Sequence, residues 1–212
     1  MSQAYSSSVE KLLHVGEPHA KSWTLSIPEG VTREHADELI RLASDVDLFD
    51  NGDEPAAYGP IHARRALGIL GVETAILPLL NMLSRVDDAQ DDWVGEEVPE
   101  ILARIGPTAV PPLAEYLKDQ TKKEWARVAA GQALERIAKA HADQKPIVVA
   151  ALADALASHR SNPVVVNTFV ADSLGQLKAR EHAQLVEQVL KSERVEQHGF
   201  DWDEVRLQLG LR

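Results

Sequence analysis

Apolar residues along this chain recur with helical spacing, and they do so in a repeated figure. Four segments carry Leu-x-x-(Leu or Ile): Leu67/Leu70, Leu102/Ile105, Leu134/Ile137 and Leu174/Leu177. Between the first members the steps are 35, 32 and 40 residues. Gly71 and Gly106 follow the first two segments directly, where a left-handed helix stop needs a residue without a Cβ. A second apolar helix is predicted after each stop. Ala75, Ile76, Leu79, Leu80 and Leu83 keep its spacing, as do Ala109, Val110, Leu113 and Leu117. Pro107 sits at a helix start, where its missing N–H costs no bond.

The next two units are looser. Residues 124–140 and 145–158 read as one helix pair, and 162–177 and 180–192 as another. Leu152/Leu156 and Val186/Leu190 take the places of Leu79/Leu83 and Leu113/Leu117. Two-helix units of this size cannot bury their apolar faces alone, so they are expected to stack. Before them, 32–44 reads as a helix capped by Thr32, 45–59 as a loop containing Asn51-Gly52 and Pro55, 8–15 as a short helix and 19–30 as irregular. After them, 201–209 reads as a terminal helix with Trp202, Val205 and Leu209 on one face. The expected organisation is one continuous domain: an N-terminal helical cap and loop over 1–57, an array over 58–192 and a capping helix within 193–212.

Composition supports an all-α chain. Of 212 residues, 28 are Ala and 25 Leu, both strong helix formers, and aromatics are 5%. The net charge of −11 disfavours a phosphate backbone or an anionic membrane surface as partner. The Ser-rich start has no apolar signal core. The longest apolar run, 146–157, is interrupted by Asp154 and is shorter than the roughly 20 residues a membrane helix needs. With no cysteine there is neither disulfide nor thiolate chemistry, which fits a reducing cytoplasm.

The segments Arg64-Arg65-Ala66-Leu67-Gly68-Ile69-Leu70-Gly71 and Ile101-Leu102-Ala103-Arg104-Ile105-Gly106, each followed by Ala-(Ile or Val)-x-Pro-Leu, resemble the HEAT-repeat family in its PBS-lyase-type branch. The resemblance extends over 58–192. The family's Asp-x-x-Val-Arg helix start is approached only at Glu124-Trp125-Ala126-Arg127. The resemblance implies a right-handed α-solenoid of about four helix pairs with helical end caps, its second helices lining a concave face. Family members include binding scaffolds, bilin-attachment enzymes, a metal-dependent hydroxylase and glycosylase-like proteins, so the fold alone does not fix the activity.

Three sets of residues are candidates for function. Tyr58, Trp93 and Trp125 each lie nine residues before a repeat leucine, with Val165 at the fourth place. They read either as a gripping stripe or as plugs between repeats. The acidic stretch Asp87, Asp88, Asp91, Asp92, Glu96, Glu97 and Glu100 places three carboxylates at i, i+4 and i+8. Asp91 and Asp92, near the helix start, suit the dipole, and no metal site is expected from the stretch. Asn81, Glu115, Asp154 and Gln188 each lie two residues after a second-helix anchor. They are expected to form a polar row flanked by Met82 and Tyr116, open to a partner protein or peptide with a basic segment.

The eight histidines form no His-Glu-x-x-His pattern, and Glu34-His35 and Glu181-His182 reverse the order of the hydroxylase-type doublet. His62 is expected at a solvent-exposed or capping position. No phosphate loop or nucleophile elbow occurs, and no cofactor is implied. The expected function is a cytoplasmic, non-enzymatic protein-interaction scaffold. The alternative is a bilin lyase or chaperone of the HEAT-like type.

Overall fold

The computed structural model describes residues 4–19 and 27–211; helix accounts for 71% of it, with no strand among the described residues. The expected irregular stretch 19–30 therefore lies largely outside the described residues. The chain begins with α1 (Ser7–Glu10), α2 (Ala36–Ala43) and α3 (Val46–Asn51). It continues through α4 (Gly59–Leu70), α5 (Ile76–Met82), α6 (Arg85–Asp88), α7 (Asp92–Ile105), α8 (Val110–Lys118) and α9 (Glu124–Ala140). It ends with α10 (Lys145–Ala157), α11 (Val164–Gln176), α12 (Ala183–Lys191) and α13 (Trp202–Gln208).

Packing follows the repeat. In one layer α2 packs on α4, α4 on α7, α7 on α9, α9 on α11 and α11 on α13. In the other, α5 packs on α8, α8 on α10 and α10 on α12. The layers interlock, since α8 also packs on α9 and α10 on α11. Leu67, Leu102, Leu134 and Leu174 are all buried between neighbours, each contributing about 1.5–3 kcal/mol of transfer free energy. No helix among the described residues is long and apolar enough to cross a membrane.

Local chemistry explains most boundaries. Thr32 accepts from the Glu34 amide, and the His35 ring accepts from the Thr32 amide, closing a capping box. Gly71 stops α4 in the left-handed region (φ 62°, ψ 48°), with the Val72 amide returning to the Leu67 carbonyl. Gly106 departs from the expected left-handed stop. Its φ of 104° is positive, but its ψ of −153° belongs to a region essentially only glycine occupies.

The predicted 45–59 loop is also corrected. It contains α3, because the Asp45 carboxylate caps the Leu48 amide at 2.9 Å while Leu48 and Phe49 provide an apolar side. The Ala56–Tyr58 turn leads straight into α4.

Polar side chains are used inside the stack. Arg65 on α4 meets Glu97 on α7 in a buried ion pair and donates from Nη1 to the His19 carbonyl at 3.1 Å. Arg127 on α9 donates from Nε to the Leu117 carbonyl and from Nη2 to Asn162, each at 2.8 Å. Asn162 in turn donates to Asn167 at 3.1 Å, and Asn167 donates to the carbonyls of His159 and Arg194. Such groups are tolerated in a core because their hydrogen bonds are made there.

Two substitutions test the register. Leu134→Ala should lower unfolding free energy by about 2–5 kcal/mol. Lys118→Ala, at an exposed ion pair, should lower it by about 1 kcal/mol or less. Chemical denaturation of both variants checks the contrast.

Candidate functional site

The second-helix layer presents the predicted row. Asn81 on α5, Glu115 on α8, Asp154 on α10 and Gln188 on α12 are all exposed. They sit on helices that pack in that order. Between α8 and α10 the surface opens into a cleft of about 430 Å³ lined by Ala114, Glu115, Lys118, Asp119, Ala151 and Asp154. The structure thus brings Glu115 and Asp154 to one cleft, with Asn81 and Gln188 beyond its lining. Lys118 lies 2.5 Å from Asp154 across the helices, so one carboxylate of the row is already paired. Hydrogen bonds from the Thr121 amide and hydroxyl hold the Asp119 carboxyl below its usual range.

The flanking residues are corrected. Met82 and Tyr116 are buried, one step further round the helix than the exposed row, and both belong to the apolar core. Burial, followed by the charges of Asp87, Asp119 and Asp88, pushes the Tyr116 phenol up to about 12. Lys122 lies 5.2 Å from its ring centre.

A different apolar set reaches solvent. Leu77 is 64% exposed and Ile147 56%, and Pro111 and Ala150 are exposed beside them in the layer. Leu77, Pro111 and Ala150 each precede a repeat anchor by two residues. Aligning the units on the other side of the anchor reveals this row from sequence alone.

The acidic stretch is largely committed to holding the fold. Asp91 caps α7 through the Val94 amide at 3.1 Å and accepts from Arg85 Nε at 2.9 Å. Glu97 pairs with Arg65, and Glu100 with Arg104 at 2.9 Å. Asp87 on α6 accepts from the Trp125 and Ala126 amides at 3.1 and 2.9 Å, capping α9 from outside that helix. Asp88 beside it pairs with Lys123. Among the described residues, no group of three or more His, Asp or Glu is placed to hold a metal ion.

The aromatic ladder does not act as one stripe. The Tyr58 hydroxyl donates to Glu54 at 2.9 Å. Trp93 lines a cleft with Phe49. Trp125, 43% exposed, meets Phe169 edge-on at 5.9 Å. Phe169 leads to Phe200 at 5.3 Å, and Phe200 stacks on Trp202 at 5.4 Å. Trp125 also walls a groove of about 550 Å³ between α7 and α9, together with Val86, Glu96, Gln132 and Arg136.

His62, expected at the surface or at a cap, is buried on α4. Its Nε2 lies 2.7 Å from the Gly16 carbonyl oxygen, and Nδ1 has no hydrogen-bond partner. Nε2 therefore carries the proton and donates. Burial pushes the imidazole below its usual range, with the Arg65 charge adding to the effect.

Comparison with family models, with curated proteins and with solved structures returns no match.

Two outcomes follow for stability. Asp87→Ala should cost about 0.5–2 kcal/mol by uncapping α9, while Asp88→Ala, at an exposed pair, should cost about 1 kcal/mol or less by denaturation. The depressed His62 keeps the folded ring neutral where the unfolded ring, near pH 6.5, takes a proton. Its contribution is intact above that pH and declines as pH falls towards the folded value. His62→Gln should flatten the loss of stability between about pH 7 and 5, as read by denaturation at each pH.

Proposed function

We propose that this chain is a HEAT-like α-solenoid that acts as a non-enzymatic interaction module, its second-helix face receiving a protein segment of basic and apolar character. The single observation carrying this reading is the α8–α10 cleft, where Ala114 and Ala151 form small apolar ground beside the carboxylates of Glu115, Asp119 and Asp154. The solenoid reading rests on the two layers, each packed in chain order, with short flanking helices at both ends. In that reading α5, α8, α10 and α12 form the concave side. The absence of cysteine fits a cytoplasmic setting.

The division of labour follows from magnitudes. Exposed ion pairs give about 0.2–1 kcal/mol each, so Glu115, Asp119 and Asp154 orient an incoming basic segment and raise its on-rate. Affinity comes from apolar contact, for which Leu77, Pro111, Ala150 and Ile147 are the exposed surface. Met82 and Tyr116, being buried, support the face from below.

Reversing Glu115 and Asp154 together to Lys should weaken capture of a basic partner from the source cell while the circular dichroism spectrum stays unchanged. Leu77→Asp with Ile147→Asp should weaken it further. An unaltered set of captured proteins in both variants would refute this face as the binding site.

A further inference from the structure

Arg64 is the least explained residue in the core. It lies on α4 at 1% exposure, and its Nε donates to the Ala43 carbonyl at 3.0 Å. Both terminal nitrogens, Nη1 and Nη2, are buried with no hydrogen-bond partner. Arg65 and Arg127, fully buried as well, contrast with it at the terminal nitrogens: Arg65 donates from Nη1 to the His19 carbonyl and from Nη2 to Glu97, and Arg127 from Nη2 to Asn162. A buried guanidinium carries a strong need for an acceptor, and a charge in that position is normally paired.

Its surroundings point to where an acceptor can arrive. The guanidinium carbon lies 5.4 Å from the centre of the Phe49 ring. Phe49 belongs to α3 and forms part of a cleft of about 420 Å³ whose wall also includes Asp50, Arg85, Asp92 and Trp93. Burial pushes the Arg64 guanidinium down to about 10, and its leading charge interactions are with Asp91 and Arg85, both in the cleft wall. Phe49 thus lies beside an unsatisfied two-pronged donor and also lines a solvent-facing cleft with a second aromatic ring, a cleft that Arg64 itself does not line.

We propose that this cleft binds a small monocarboxylate carried on an apolar or aromatic body, with the carboxylate on Arg64 Nη1 and Nη2 and the body between Phe49 and Trp93. A guanidinium presents two parallel N–H groups that match the two oxygens of a carboxylate. The aromatic walls favour an apolar body over bare ion binding. The single charge is set by the same cleft. Arg85 is already engaged by Asp50 at 2.8 Å and Asp91 at 2.9 Å. Asp92 adds a further carboxylate at the exposed rim. A dianion such as phosphate meets more repulsion there than a monoanion does. Entry requires the Phe49 ring to turn aside; Phe49 is half-buried, on a six-residue helix none of whose residues is fully buried.

Sodium benzoate is a suitable probe, with sodium chloride at equal ionic strength as baseline and inorganic phosphate as the second arm. For the full chain, benzoate should raise Tm with the logarithmic dependence on concentration of a single site, by about 3 °C or more at ten times its dissociation constant. Phosphate should raise it less. Arg64→Met should abolish the benzoate response, and Arg64→Lys should lose most of it, because an ammonium lacks the forked donors. As a measurement independent of whether those variants fold, benzoate should shift the indole N–H resonance of Trp93, assigned with Trp93→Phe, and leave that of Trp202 in place. No rise in Tm above the chloride baseline in the native chain, an equal response in Arg64→Met or Arg64→Lys, an unmoved Trp93 resonance, or a phosphate effect matching that of benzoate would each overturn the proposal.

Discussion

No helix pair in this chain can cover its own apolar side, and everything else in the structure answers to that. Leu67, Leu102, Leu134 and Leu174 reach full burial only because each first helix is flanked by the first helices before and after it. Stability is therefore held at the seams between units as much as within them. The seams are where the polar investments appear: Arg65 to Glu97, Arg127 to Asn162, and Asp87 to the start of α9. A seam of small aliphatic side chains alone would allow neighbouring helices to slide, and directional bonds remove that freedom.

The same economy explains the charge. A chain of −11 looks like an acidic binding protein, yet most of the densest acidic stretch is occupied in capping helices and pairing with arginine and lysine. The carboxylates left to act outward are sparser: Glu115 and Asp119 on the second-helix layer, and Asp92 at the rim of the Phe49 cleft. Local charge density along the sequence is thus a poor guide to where the surface potential is available.

What the sequence made legible was whatever depends on period. The paired helices of the repeated figure, the buried leucines and the exposure of Asn81, Glu115, Asp154 and Gln188 follow from spacing along one helix, and the Thr32 cap from local residue type, whereas α3 was hidden behind the turn residues of 45–59. What escaped depends on two segments far apart. Met82 and Tyr116 looked available because they adjoin exposed residues in sequence, but the rotation of about 100° per residue turns them inward. His62 and Arg64 carry polar types that sequence reading sends to solvent, and the groups that meet them there, Gly16 at His62 and Ala43 and Phe49 at Arg64, are distant in sequence. Asp87 capping α9 spans a separation of 38 residues that no periodic pattern encodes.

That last contact makes the folding unit differ from the repeating unit. Asp87 precedes α7, yet the helix it completes is α9, one first helix further along. A module excised at 119–123, the apparent joint, would leave its own acidic corner behind and begin with bare amides. Shuffling or duplicating a pair within such a chain is not a matter of copying one repeat length. The inserted helix must find its carboxylate on the preceding corner, and the displaced corner must find a new helix start to serve.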